Sequence, residues 1–517
     1  MRYRPCYRRN STFREDALYS YHAADMPFST VALYSVPFGA LVFVLFRYLK
    51  IPSIPGPFLA SITDLWRAYQ VEYASFHENI GHVHAKYGPI VRVGPNTVYT
   101  SDPLAVSTIY STHGDFKKAD SYHALRTLVN KKIIGSVIDM QDESENAALK
   151  RAVGHAFATK NLLDYEPDVD YTADMLVQTL RQVRSADVFT SMQQFQVDFL
   201  MKAAFNRDTN YLAARKSTRD ISGEQRLHHW TKWQALPSLE KLLYKSPFCL
   251  AWYQSSGSPP VWTTMAKEEL AARQAQGPGK MVKNGAKPDL LSKYIDGATR
   301  HKDISTELLM RMISSTISAG FDTSAFTMST IIYFLLKNPG AMKKLRAELD
   351  AAVSAGELSN PPRYIEADRI KYLGAVIKES MRLYHFLSQP LERVVPAGGA
   401  QISGHWLPGG TTVAVPVPVV HRDVKVFGQD ADDFRPDRWL ETDEHQRIAM
   451  ERTMLAFGAG KRVCLGRHIA ELEMKKVIPR LLLEFDMTLD DPGYLLEPKD
   501  NYSRFMKPFS VTFSDKT

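Results

Sequence analysis

The segment Phe457-Gly458-Ala459-Gly460-Lys461-Arg462-Val463-Cys464-Leu465-Gly466 concentrates the reactive chemistry of this chain. It runs into His468-Ile469-Ala470-Glu471-Leu472-Glu473-Met474-Lys475-Lys476, whose residue types favour a helix. Cys464 therefore stands where a glycine-rich loop becomes a helix N-terminus. The amides and dipole of such an end stabilise an anion and lower a thiol's pKa. Glycines let the backbone approach the sulfur and donate hydrogen bonds to it. A thiolate held this way is a strong electron donor to iron. Other fates of the cysteine fit less well. A buried structural cysteine needs neither the three glycines nor the arginine. A nucleophile paired with His468 stays open. Zinc requires two further spaced ligands beyond a Cys-x3-His pair, and covalent c-type heme attachment requires Cys-x-x-Cys-His.

Two further constellations matter beside that loop. Glu379-Ser380-Met381-Arg382 places Glu379 and Arg382 on one helical face. Alone this spacing is weak, and its plain reading is an exposed surface pair. Downstream stands Phe434-Arg435-Pro436-Asp437-Arg438-Trp439, and an arginine's planar fork can serve two acceptors at once. Ser305 to Lys337 reads as one long helix closed by Asn338-Pro339. Ser314, Ser315, Thr316, Ser318, Asp322, Thr323 and Ser324 make it too polar to be a membrane span. Within Ala319-Gly320-Phe321-Asp322-Thr323-Ser324, an acid beside an alcohol can relay protons. Glycine inside a helix costs about 1 kcal/mol relative to alanine, so Gly320 is expected to open room for a diatomic ligand. The alternative is a helix bend with a satisfied Asp and Thr.

The ten-residue loop matches the heme-binding loop of the cytochrome P450 family, Phe-x-x-Gly-x-Arg-x-Cys-x-Gly, at every fixed position. The resemblance implies heme b with Cys464 as axial ligand to its iron. It implies that Phe457, Gly458, Gly460 and Gly466 shape the cofactor loop and that Arg462 pairs with a heme carboxylate. It makes Glu379, Arg382 and Arg438 a buried structural triad, with Asp437 standing where the family often has Glu. The 319–324 segment resembles the family's oxygen-activation motif, which gives Thr323 a hydrogen bond to the oxygen substrate and Asp322 the supply of protons. Glu145 to Arg151 aligns loosely with a helix that contacts a heme propionate. Asn146 stands where the family usually has Trp or His, and Lys150 where it has Arg. Lys150 or Arg151 then makes the contact, unless this is an exposed basic face.

The resemblance covers nearly everything after residue 50. Lys86 to Asn96, Glu392 to Pro396 and Leu407-Pro408-Gly409 are similar to fungal members, including pisatin-demethylase-like enzymes, which mostly modify secondary metabolites. It implies a heme-thiolate monooxygenase that inserts one oxygen atom of O2 into an apolar small molecule. Electrons would come from NADPH through a separate flavoprotein reductase, because the chain shows no flavin or nicotinamide fingerprint. Lys461, Lys475 and Lys476 are the expected docking face. Residues 121 to 142, Phe321 and Ser388 to Leu391 are expected to line the pocket. One rival is a heme-thiolate isomerase or dehydratase acting without O2, which the Asp322-Thr323 pair argues against. Another is a heme-binding or sensing protein without turnover.

The elements that must position these residues follow from the rest of the chain. Its 517 residues are 44% hydrophobic and 23% charged, an ordinary globular composition. Cys6, Cys249 and Cys464 are odd in number and far apart, which excludes a disulfide framework. The net charge of +8 is spread without a concentrated basic stripe, so nothing points to nucleic acid; it suits an acidic partner or an anionic membrane face. Residues 1–25 form a tail with Arg2, Arg4, Arg8, Arg9 and Arg14. Met26 to Phe46 is uncharged and long enough for a transmembrane anchor, with Pro37 tolerated there. Residues 47–60 read as a proline-rich linker and 61–517 as the monooxygenase domain.

The expected location is the endoplasmic reticulum membrane, single-pass, with the catalytic domain cytosolic. The five arginines alone would put the N-terminus in the cytosol; a true start at Met26 removes that conflict. The Asn10-Ser11-Thr12 sequon has meaning only on a lumenal tail. The expected fold is mainly α with small β-sheets. Strands flank Gly94-Pro95-Asn96 and recur between 400 and 420, 121–142 is a loop with a short helix, and 143–270 is helical. Gln276 to Lys280 is a flexible connection. There are no internal repeats.

Overall fold

The computed structural model describes residues 28–51, 53–73, 75–129, 132–246, 261–275, 287–301, 304–387, 389–497 and 506–516. The arginine tail, Met26, the Asn10 sequon, Cys6, Cys249, the 276–280 connection and Ser388 lie outside the described residues.

The predicted long helix is present as Thr306–Lys337, and the Ser305 hydroxyl caps it by accepting from the Leu308 N–H at 3.2 Å. It is long and apolar enough to cross a membrane, yet most of its apolar stretch is buried inside the protein. It packs against the helices Val188–Phe205, Lys371–Leu383 and Arg467–Glu484. Four of its hydroxyls donate back to carbonyls four residues earlier, which lets them sit in a packed helix. Thr323 bonds Ala319, Thr327 bonds Thr323, Ser329 bonds Ala325 and Thr330 bonds Phe326.

The strands Ile90–Gly94 and Thr97–Thr100 pair antiparallel across the predicted turn. They join a five-stranded sheet with Thr412–Ala414, Arg393–Val394 and Lys117–Lys118. Its edge register sets Lys118 opposite Arg393, which brings two cations together. Between 121 and 142 the structure holds more order than a loop with a short helix. A 3-10 helix at Asp120–Leu125 is followed by a hairpin of Thr127–Val129 with Lys132–Ile134. Thr127, Val129, Ile133 and Ile134 supply the β-branched residues such a pair needs.

The N-terminal apolar run is helical over Phe28–Leu49, so the helix outlasts the predicted 26–46 span by a turn. Phe38, Leu41, Phe43, Leu45 and Phe46 are exposed on it. The 47–60 segment is less free than a linker. The buried Arg92 guanidinium donates to the carbonyls of Arg47, Tyr48, Ile51 and Pro95 at 2.6, 2.9, 3.0 and 2.7 Å. Ile51 and Ile54 enter the core beside it. Gly56 lies so close to this strand that a Cβ would fall 2.2 Å from the Arg92 carbonyl oxygen.

Candidate active site

The cysteine loop is folded on itself before the helix Arg467–Glu484 begins. The Cys464 N–H donates to the Phe457 carbonyl at 2.8 Å, and the Gly458 N–H to Leu455 at 2.8 Å. Gly458 and Gly460 have φ of 67° and 61°, which disfavours any side chain. At Gly460 a Cβ would also stand 1.8 Å from the Tyr110 carbonyl oxygen. Cys464 keeps exposed surface although atoms surround it densely on all sides. An exposed sulfur at so crowded a position points to internal space beside it. Burial pushes the thiol up, against the N–H groups of Gly466 and Arg467 and the Lys150 and Arg467 charges. The helix end was expected to lower it. Desolvation outweighs the two amides, which favour the anion, so the thiol sits above its ordinary value.

Beside the loop, cations crowd together. Burial first, then the charges of Arg393, Arg462 and Lys150, hold the Lys118 ammonium well below its usual range. Lys118 donates to the Ile138 carbonyl, and Lys150 to the Lys461 carbonyl at 2.6 Å. Arg462 bonds Glu143 through Nε at 3.1 Å and Nη2 at 2.9 Å. Its Nη1 is buried and finds no partner among the described residues. Glu143 and Asp139 are too few to neutralise Lys118, Lys150, Arg393 and Arg462. Asn146, in the place of the expected aromatic contact, is instead buried and bonds the Val137 carbonyl at 3.1 Å.

The triad forms as expected and is larger than three residues. Arg382 Nη2 and Arg438 Nε each lie 2.8 Å from Glu379 Oε1. The Arg435 N–H donates to the same carboxylate at 3.0 Å and Trp439 Nε1 at 2.9 Å. Arg438 also reaches Asp430 at 3.0 Å. These groups fasten the helix Lys371–Leu383 to the chain leading into the cysteine loop.

On the central helix, Thr316, Ala319, Thr323 and Thr327 keep partial exposure deep inside the protein. Their spacing puts them on one face of the helix. Asp322 lies on the neighbouring face, buried. Two expectations fail here. Gly320 faces the helix Val188–Phe205, where a Cβ would sit 3.3 Å from Leu200, so its missing side chain serves helix packing rather than a diatomic ligand. Phe321 is buried against Trp262, ring centroids 5.9 Å apart, and belongs to the core rather than to a pocket wall. Leu391 does reach the loop, 3.6 Å from where a Cβ of Gly458 would stand.

Of the expected docking lysines, Lys476 needs correction. Lys476 is buried and bridges Glu166 and Asp170 at 2.6 and 2.7 Å. Lys475 bonds Asp368, and Lys461 donates to the Gly114 carbonyl at 2.6 Å. Of the two neighbours, Lys476 faces the core and its charge is spent internally, whereas Lys475 pairs at the surface. Sequence spacing alone did not reveal Glu166 as a partner of Lys476, nor the places of Lys118, Arg393 and Gln193, because each arrives from a distant element.

An exposed thiol on the folded loop, an excess of cations beside it and an Arg462 nitrogen without a partner among the described residues fit heme b. Cys464 suits its iron, and Arg462, Lys150, Lys118 and Arg393 suit its two carboxylates. Fold and site thus define a heme-thiolate enzyme. The Cytochrome P450 family model matches residues 55–511, and the chain belongs to that family. It is 36% identical over 463 residues to a cytochrome P450 monooxygenase of Aspergillus terreus, covering 88% of this chain and 94% of the relative. It is 32% identical to cytochrome P450 monooxygenase cicH of Emericella nidulans, covering 89% and 93%. It is also 32% identical to cytochrome P450 monooxygenase mpaDE of Penicillium roqueforti, a match over 86% of this chain and only 53% of that protein. This protein is a heme-dependent monooxygenase that receives electrons originating in NADPH from a redox partner.

Proposed function

We propose that the enzyme inserts one oxygen atom of O2 into an apolar small molecule of fungal secondary metabolism, with a separate NADPH-dependent flavoprotein reductase as its partner. The observation that carries this reading is the Cys464 thiol, exposed at the end of its folded glycine loop yet crowded by the surrounding protein. Bound heme supplies oxygen activation and the protein does the rest. Cys464 holds the cofactor, and Phe457, Gly458, Gly460 and Gly466 shape the loop around its sulfur. Arg462 and Lys150 hold the carboxylates. Thr323, its hydroxyl anchored on Ala319 at 2.6 Å, orients the oxygen substrate, and Asp322 stores the proton that Thr323 directs. Glu379, Arg382 and Arg438 keep the loop in place. The exposed apolar side chains of Phe38, Leu41, Phe43, Leu45 and Phe46 support a membrane anchor, with the catalytic domain on the cytosolic face of the endoplasmic reticulum.

The test is turnover of a panel of apolar fungal metabolites by the holoenzyme with such a reductase, NADPH and isotope-labelled O2. One labelled oxygen atom per product, with matching NADPH loss, is the expected result. A product formed without O2 or reductase favours the isomerase or dehydratase reading instead.

A further inference from the structure

Asp322 is turned away from the helix face that carries Thr323. It is 2% exposed and reaches toward the helix Val188–Phe205 and the turn before Glu224–Trp233. Gln193 Nε2 donates to Oδ1 at 2.9 Å, and the Gly223 N–H donates to Oδ2 at 2.7 Å. Ser222 Oγ lies 3.4 Å from Oδ1 and 3.5 Å from Oδ2. No lysine or arginine pairs with this carboxylate among the described residues. Burial pushes the carboxyl up to about 7, against the bonds from Gly223, Gln193 and Ser222 and with a smaller push from the Glu224 charge.

An acid that exchanges its proton near neutrality still needs a path to water. Gln193 offers none: it is buried, and its carbonyl accepts from the buried Thr218 hydroxyl at 2.8 Å. An amide and a backbone N–H donate without passing protons on. Ser222 differs. It carries a hydroxyl and, unlike Gln193 and Asp322, remains half-buried. Its Oγ also accepts from the Glu224 N–H at 3.2 Å, which orients its own hydrogen inward. Gly223 brings the turn this close, since a Cβ there would meet Asp322 Oδ2 at 3.0 Å.

We infer that the 218–224 turn is the proton inlet of this enzyme, with Ser222 relaying protons from solvent to Asp322. Once Asp322 has given up its proton, its carboxylate still stands 3.4 Å from the Ser222 hydroxyl. The Ser222 hydroxyl then gives its hydrogen to the ionised carboxylate and takes one from a solvent hydronium ion or buffer acid, so the serine ends unchanged and one proton has entered. The inference rests on Asp322 being the proton store of the proposed function.

The test follows the carboxyl stretching band of Asp322 by infrared difference spectroscopy of the holoenzyme, transferred from H2O to D2O at about pH 6, below its raised value. Asp322→Asn identifies the band among those of other protonated acids. Ser222→Val is expected to slow deuterium exchange of that band about tenfold, and Ser222→Thr to restore it. Wild-type exchange in Ser222→Val overturns the inlet while leaving the proton-store reading intact. A spectrum in which Asp322→Asn removes no band overturns both.

Discussion

Glu379→Gln is expected to destabilise the protein by about 3–5 kcal/mol, the range for removing one partner from a buried ion cluster. Glu379 and Arg382 are each 0% exposed, and Arg438 is almost as deep. The single carboxylate takes four donor groups: both guanidiniums, the Trp439 indole and the Arg435 N–H. Glutamine keeps the shape and one acceptor but leaves two buried cations facing a neutral amide. Arg382 retains the carbonyls of His421, Ala431 and Asp433, and Arg438 retains Asp430, so collapse is partial rather than complete. Thermal unfolding followed by far-ultraviolet circular dichroism measures this. A midpoint equal to wild type contradicts it. The same variant is expected to lose heme faster, because the cluster anchors the chain that enters the cysteine loop.

Asp322→Asn is expected to lower product formation about a hundredfold while leaving heme content unchanged, since a positioned proton donor contributes on this scale. Electrons are then diverted to peroxide, so NADPH is still consumed. Product yield per NADPH separates this from a folding defect; an unchanged yield contradicts the role of Asp322. The substitution has a second consequence for stability. In the unfolded chain an aspartate ionises near 3.9, whereas in the fold Asp322 holds its proton up to about 7. Its raised value therefore contributes stability that is full below about 4 and is lost as pH rises through about 7. Asparagine has no proton to lose, so its stability advantage over wild type grows across that window. Glu473 behaves alike: burial pushes it up to about 7, against bonds from Gln196 and Ser324. Part of the pH slope therefore persists in Asp322→Asn.

The features legible in the sequence are those carried by local spacing. The glycines before Cys464 take left-handed conformations, Glu379 and Arg382 share a helix face, and Ser305 and Asn338 bracket the central helix. The strands around Gly94-Pro95-Asn96 were legible because turn chemistry is local. What escaped depends on which element packs against which. The role of Gly320 is set by Leu200, more than a hundred residues earlier in the chain. Lys476 looks like surface charge until Glu166 and Asp170 are seen across from it. Lys118 and Arg393 meet only through strand register, and Gln193 and Ser222 reach Asp322 only through the crossing of two helices and a turn. Such meetings leave no periodic trace along the chain.

The most direct test of the central claim is the absorption spectrum of the reduced, carbon monoxide-bound holoenzyme, recorded for wild type and Cys464→Ser. The account predicts the red-shifted Soret band of a thiolate ligand in wild type and its loss in the variant. A wild type that binds no heme, or a band that survives the substitution, contradicts it.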